Sequence, residues 1–360
     1  MVTGKERVLA ALKGQECDHL SWAPVVDRYF TSSLPAQGYQ EVSVPEAIRM
    51  MGADIIERHV PTVRTVEHSS VVRRVERRGD LERIVYETPV GSLTGEARWA
   101  AWHSTHVTKF PITDVGDVKI WQYIAEHTSY EEDFEVFREH ERLIGNDGIP
   151  TSSGPLSPMV YFLEELCGVE NTYYLLMDSP EEVESCFQAM HENDKQMYRL
   201  LCEGPSVAIF DYEDISSTII SPSLYGKYCA PYLDDYAAIC HDAGKRYITH
   251  MCGKLSAFND QICLGQMDGV DSVCPPTSGD LWAHEARHAW GDEKIILGGL
   301  EPAALVRMSA AETRAYATRV IDAMSTFRGF ILSTGDATAH GTPLENLRTI
   351  AEVVAAHPWK

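Results

Sequence analysis

The sequence predicts a (β/α)8 barrel forming one domain over residues 1–360, with an antiparallel β-insert near residues 64–100. Three observations point there. From Leu143 onward, short apolar runs alternate with longer amphipathic segments, the rhythm of parallel strands joined by helices. Roughly six to eight such units in a chain of this length suit a barrel better than an open doubly wound sheet. No strand runs into a glycine-rich dinucleotide loop, because "LGGLEP" lacks the GxGxxG spacing.

The elements follow in order. Thr3 and Glu6 form a capping box for a first, charged amphipathic helix, which reads as no signal peptide. "SWAPVVD" is a strand ending at Asp27 and Arg28. Residues 44–52 are helical, and "GADIIERHV" holds a short strand. Residues 64–100 are rich in Val, Ile, Thr and Tyr with Gly-Asp and Val-Gly turns, so antiparallel strands are expected. Such an excursion is a surface insert, or else a lid or subunit contact. The later strands are "RLIGNDGIP", "SVAIFDYED", "KRYITHMCG", "GVDSVCPP", "KIILGGLEP" and "GFILSTGDA". Between them, Ser179-Pro180 and Ser221-Pro222 open helices, the second running to Gly244. Thr342 and Glu345 predict a capping box for the last helix.

A formal net charge of -22 argues against nucleic acid and an anionic membrane surface as partners, since phosphate binding needs clustered Lys and Arg. No run reaches the ~18 apolar residues of a membrane span. Nine cysteines, an odd number in a large chain, are expected to be reduced in a cytoplasmic protein.

In a (β/α)8 barrel the site lies at the C-terminal ends of the strands. There the apolar runs end in Asp211, Glu213 and Asp214, in His250 and Cys252, in Cys274, in Glu301 and in Asp336. His250 and Cys252 lie two apart on an extended segment, so both point to one face. Zinc takes thiolate, imidazole and carboxylate ligands in tetrahedral geometry, and a catalytic site keeps one position exchangeable. Cys274 on the next strand offers a second thiolate, and Asp336 on the last a carboxylate. Each also has a plain reading: a buried core cysteine, a loop acid, a solvated strand end.

Together "ERVLAALKGQECDHLSWAPV", the stretch from "FDYEDISSTII" to "KRYITHMCGK", "DGVDSVCPP", "ILGGLEP" and "GFILSTGDATAHGTPLENL" resemble the uroporphyrinogen decarboxylase superfamily, from about residue 4 to 355. The resemblance implies a (β/α)8 barrel. In "VVDRYFTSSLPAQG", Arg28 and Tyr29 survive from the arginine-rich stretch of true decarboxylases, but the second arginine does not, and Gly335-Asp336-Ala337 replaces a late GHG. Both departures speak against decarboxylation of a porphyrinogen; the other branch comprises zinc-dependent methyltransferases linked to corrinoid proteins.

That branch carries H-x-C, then an acid or thiol about two dozen residues on, then a Cys near the last strand. Here His250 and Cys252 match, while Cys274 and Asp336 exchange the acid and the thiol. The resemblance therefore implies Zn2+ held by His250, Cys252, Cys274 and Asp336, the last ligating metal or substrate. It implies Asp214 or Glu213 orienting substrate, and Asp27, Arg28, Tyr161 and His340 lining its pocket. The methyl group would move between a corrinoid protein, with the cobalamin on that separate polypeptide, and a small-molecule donor or acceptor: a thiol or an O-, N- or S-methyl compound. A homodimer is a further implication. A cofactor-free porphyrinogen decarboxylase and a non-catalytic metal- or ligand-binding barrel remain the alternatives.

Overall fold

The computed structural model describes residues 2–66, 68–100 and 105–359. Fourteen strands are present among them: β1 (Ser21–Trp22), β2 (Ile55–Val60), β3 (Val63–Val66), β4 (Val72–Arg78), β5 (Leu81–Thr88), β6 (Gly91–Trp99), β7 (Thr105–Lys109), β8 (Ser129–Glu132), β9 (Gly148–Ser153), β10 (Ala208–Asp211), β11 (Arg246–His250), β12 (Gly269–Val273), β13 (Ile295–Leu300) and β14 (Phe330–Thr334). Eight of them form one parallel sheet in the order β1-β14-β13-β12-β11-β10-β9-β2. Its two edges meet, since Asp54 N–H donates to the Trp22 carbonyl at 2.8 Å and Ser21 Oγ to Asp54 Oδ2 at 2.8 Å. The sheet is thus curled, a TIM-barrel-like arrangement of mixed α/β type.

Strand periodicity sorts the core into two layers. Ile56, Ile149, Ala208, Phe210, Ile248, Ile295, Leu297 and Ile331 form one buried cluster with Val8, Ala11 and Leu12 of the first helix, Gly4–Leu12. These are the inward residues of the curled sheet, and the first helix closes its lower end. The alternate residues Ile209, Tyr247, Val270, Ile296, Phe330 and Leu332 belong to the larger cluster shared with the surrounding helices. Asp211 is in this outward set. It accepts a hydrogen bond from Tyr247 and does not line the pocket described below.

Several local expectations are modified. The insert is two antiparallel sheets. β3 leaves to pair with β8, and β4-β5-β6-β7 form a meander that continues to Lys109, beyond residue 100. Glu67, within the expected stretch, lies outside the described residues. The meander rests on the helix Val115–Glu126 through Leu93 and a Tyr86–Trp121 edge contact at 5.3 Å, while β4 stays exposed along its length. The helix expected to run from Ser221 to Gly244 is two helices, Pro222–Tyr228 and Ala230–Asp242. Pro231, without an N–H, cannot continue the first. The capping box at Thr342 is not made. Thr342 Oγ1 donates back to the Ala339 carbonyl, and the last helix begins at Leu344 without a side-chain cap. Among the described residues no helix is long and apolar enough to cross a membrane.

One buried acid sets a pH dependence. Asp194, on the helix Pro180–Glu203, accepts a hydrogen bond from Tyr236 at 3.1 Å, and burial pushes its pKa up to about 8. The folded chain therefore keeps a proton that the unfolded chain, near its ordinary ~3.9, has released. The sign follows: this group's contribution falls as pH rises from about 4 to about 8. An Asp194→Asn chain is expected to lose that part of the decline and to gain stability at about pH 8 relative to about pH 5. Urea unfolding at the two pH values measures it, and identical slopes in both chains would refute the assignment.

Candidate metal centre

The C-terminal ends of the parallel strands surround a cavity of about 540 Å³. Its lining includes Asp27 and Arg28 after β1, Glu57, Arg58 and His59 of β2, Tyr212 and Asp214 after β10, His250 ending β11, and Asp336 after β14. Val25, Val26, Val44, Ile48, Ile55 and Ile56 supply an apolar wall.

Asp214 and His250 line it, and their ligand atoms lie within 4.8 Å of each other and of the Cys252 sulfur, although Cys252 is not among the lining residues. His250 is the last inward residue of β11, and Cys252 follows on the bend beyond it. Asp214 arrives from the neighbouring strand, because β10 and β11 pair in parallel with Asp211 beside Thr249. His250 is 5 % exposed, so its two nitrogens must find partners inside the protein. Nδ1 faces Asp271 Oδ2 at 2.9 Å, and Nε2 lies 3.9 Å from Asp214 Oδ1. That oxygen is buried and makes no hydrogen bond.

Behind the histidine stands an ion pair between the fully buried Asp271 and the largely buried Arg58 side chain. Arg58 Nε reaches Asp271 Oδ2 and Arg58 Nη2 reaches Asp271 Oδ1, both at 2.9 Å. Asp271 and His250 are register partners on adjacent strands, which puts the carboxylate beside the ring. Burial opposes charge on Asp271. Arg58 and the His250 hydrogen bond outweigh it and hold the carboxyl well below the usual range. For His250, burial disfavours the cation, but the hydrogen bond and charge of Asp271 raise its pKa above the ordinary value. A third support is stacking. Tyr212 lies between His250 (4.6 Å between ring centroids) and His59 (3.4 Å).

This donor set fits a divalent metal of the zinc type. It combines one imidazole, one thiol and one carboxylate, the ligands zinc prefers. It includes a buried carboxylate oxygen with no partner, which an ion would satisfy. The histidine's other nitrogen is held by a carboxylate, as ligating histidines usually are. Without an ion, burial and the Asp214 charge raise the Cys252 pKa, which favours the neutral thiol.

The other expected residues lie as follows. Cys274 is buried, with Sγ 3.3 Å from Glu301 Oε2, and is not one of the three clustered donors. Burial and Glu301 raise its pKa. Glu301 also accepts from Ser278 Oγ at 3.0 Å. Asp336 lines the cavity with Asp214 and His250, and its Oδ1 accepts from Ala337 N at 2.6 Å. Glu213 is fully buried, and both its oxygens are taken by Ser157, N at 2.8 Å and Oγ at 2.5 Å. Burial lifts it to about 7. Asp27 caps its own short helix through Phe30 N at 2.8 Å, and the neighbouring Arg28 is exposed at the cavity mouth. His340 stacks on Tyr29 at 4.6 Å and is not among the lining residues. Tyr161 lines a separate, smaller cavity beneath the insert, with Tyr86 and Trp121.

Sequence reasoning did not single out Asp271, Arg58, His59 or Tyr212. A signal existed for the first two. "GVDSV" and "IIERHV" carry charged residues inside apolar strands, and a buried charge must be paired.

The family model for uroporphyrinogen decarboxylase (URO-D) matches residues 148–357. No curated protein matches the chain. Among solved structures, a methyltransferase from Methanosarcina mazei shares 15 % identity and covers 98 % of both chains, with a TM-score of 0.64. At that identity the likeness concerns the fold. An endo-1,4-beta-mannanase from Rhizomucor miehei, at 9 % identity and 95 % of both chains, gives a TM-score of 0.43, too low to argue from.

Proposed function

The chain belongs to the uroporphyrinogen decarboxylase family, and from that premise we propose that it is a zinc-dependent methyltransferase. The methyl group moves between a corrinoid protein and a small-molecule thiol or an O-, N- or S-methylated compound. The observation that carries this reading is the convergence of Asp214, His250 and Cys252, whose ligand atoms lie within 4.8 Å of one another, with Asp271 and Arg58 behind the histidine. Bound there, zinc supplies Lewis acidity that lowers the pKa of a thiol or polarises a methylated heteroatom.

The chain's own residues do the rest. Asp271 accepts the Nδ1 proton of His250 and so leaves Nε2 to face the donor group. Arg58 keeps Asp271 ionised and fixed in place. Val25, Val26, Ile48, Ile55 and Ile56 exclude water from one wall, and Asp336, placed beside Asp214 and His250, is positioned to touch the substrate. Decarboxylation of a polycarboxylate is the poorer reading. The cavity presents Asp27, Glu57, Asp214 and Asp336 against Arg28 and Arg58, and Arg58 is already committed to Asp271. The corrinoid partner, meeting a chain of net charge -22, docks through basic patches.

The test is elemental analysis followed by methyl exchange. Purified protein is expected to hold about one zinc per chain and to exchange methyl groups between methylcobalamin and a thiol or methyl ether. Zinc-free protein that consumes uroporphyrinogen would sink the proposal. Zinc-bound protein inert in every methyl exchange would favour a non-catalytic metal site.

A further inference from the structure

Two cysteines lie together far from the metal centre. Cys202 sits at the end of the helix Pro180–Glu203, and Cys240 at the end of Ala230–Asp242. Both helices lead into the N-terminal ends of strands, β10 and β11, so the pair occupies the opposite end of the curled sheet from His250 and Cys252. Their sulfurs are 3.7 Å apart, in van der Waals contact. Closing to a bond of about 2.05 Å brings the two sulfurs about 1.7 Å closer, and each cysteine lies in a last helical turn. The neighbourhood is set up for thiol exchange. Lys245 donates to the Gly204 carbonyl at 2.6 Å and the Ser206 carbonyl at 2.5 Å, which ties the two helix ends together and brings a cation near Cys202. The contact with Cys240 and the Lys245 charge lower the Cys202 pKa despite its burial, whereas Cys240 is raised. Cys202 is partly exposed and Cys240 fully buried, the arrangement of an attacking and a resolving thiol.

We propose that Cys202 and Cys240 form a reversible redox site that closes to a disulfide by exchange with a low-molecular-weight disulfide. The Cys202 thiolate attacks one sulfur of the small disulfide. A new S–S bond forms, and the first small thiolate leaves and takes up the proton Cys202 released. Cys240, giving up its own proton, then attacks Cys202 sulfur and expels the second small thiolate, which takes that proton. The chain is oxidised by two electrons and the small disulfide is reduced to two thiols. The pair stands apart from the metal ligands, so the proposal does not depend on the assigned function.

Full-length protein incubated with oxidised glutathione, alkylated and digested is the experiment. The expected product is one peptide pair joining Cys202 to Cys240, released by dithiothreitol. A Cys240→Ser chain, unable to resolve the exchange, is expected to trap one glutathione on Cys202. The exposed Cys263 is the internal control. If Cys202 and Cys240 are both recovered as singly alkylated free thiols from the wild-type chain while Cys263 carries glutathione, the proposal is overturned. The wild-type map decides the question even if the variant folds poorly.

Discussion

A His250→Ala chain is expected to lose its zinc. Affinity should fall by well over the roughly 10–100-fold that loss of an outer-shell partner costs, because a direct ligand goes. Cys252→Ala should behave alike, since the thiol and the imidazole are two of the three donors that converge among the described residues. Competition with a chromophoric chelator measures this, and methyl exchange should vanish in parallel. Cys274→Ala distinguishes the ligand sets. With Sγ engaged by Glu301 at 3.3 Å, its removal should leave zinc affinity within a few-fold of the parent. An equal loss on Cys274→Ala would place the second thiolate back at the metal, as the family pattern implies.

Replacing Arg58 with leucine should lower stability by about 3–5 kcal/mol, the cost of leaving a buried charge without its partner. Asp271 is fully buried, and Arg58 meets both its oxygens. The double variant Arg58→Leu/Asp271→Leu should recover part of the loss, because no unpaired charge remains. Urea denaturation of the two chains tests this. A single-variant loss below about 1 kcal/mol would mean that the pair is solvated rather than sealed. The two variants also separate stability from metal holding. Arg58→Leu keeps every donor but loosens the Asp271–His250 contact, so zinc should bind about 10–100-fold more weakly.

The strand rhythm was legible because apolar runs of β-branched residues ended each time in polar turns; "RLIGNDGIP" is the exception, since residues 142–147 close a helix and a 3-10 turn and the strand begins only at Gly148 and runs on to Ser153. His250 and Cys252 were legible for the same reason, at a strand end with a spacing of two. Asp214 was visible as an acid but not as a metal-site donor, since its place depends on how the loop after β10 folds back beside β11. The long helix read over 221–244 missed the break at Pro231 because capping signals mark where a helix starts and say little about interruption. The insert was seen, but its boundary slipped, because periodicity of two does not tell which partner a strand pairs with. β3 chose β8, some sixty residues away, rather than the adjacent hairpin.

Sequence alone therefore determined which chemical groups stand at the strand ends of this chain: imidazole, thiols and carboxylates on a parallel α/β framework. Only the tertiary structure decided which of them meet. Asp271 reaches His250 through register between neighbouring strands, and Arg58 reaches Asp271 across the curled sheet from β2. Such distances are set by the closing of the sheet and by the desolvation that forces each buried charge to find a partner. No local spacing encodes either one.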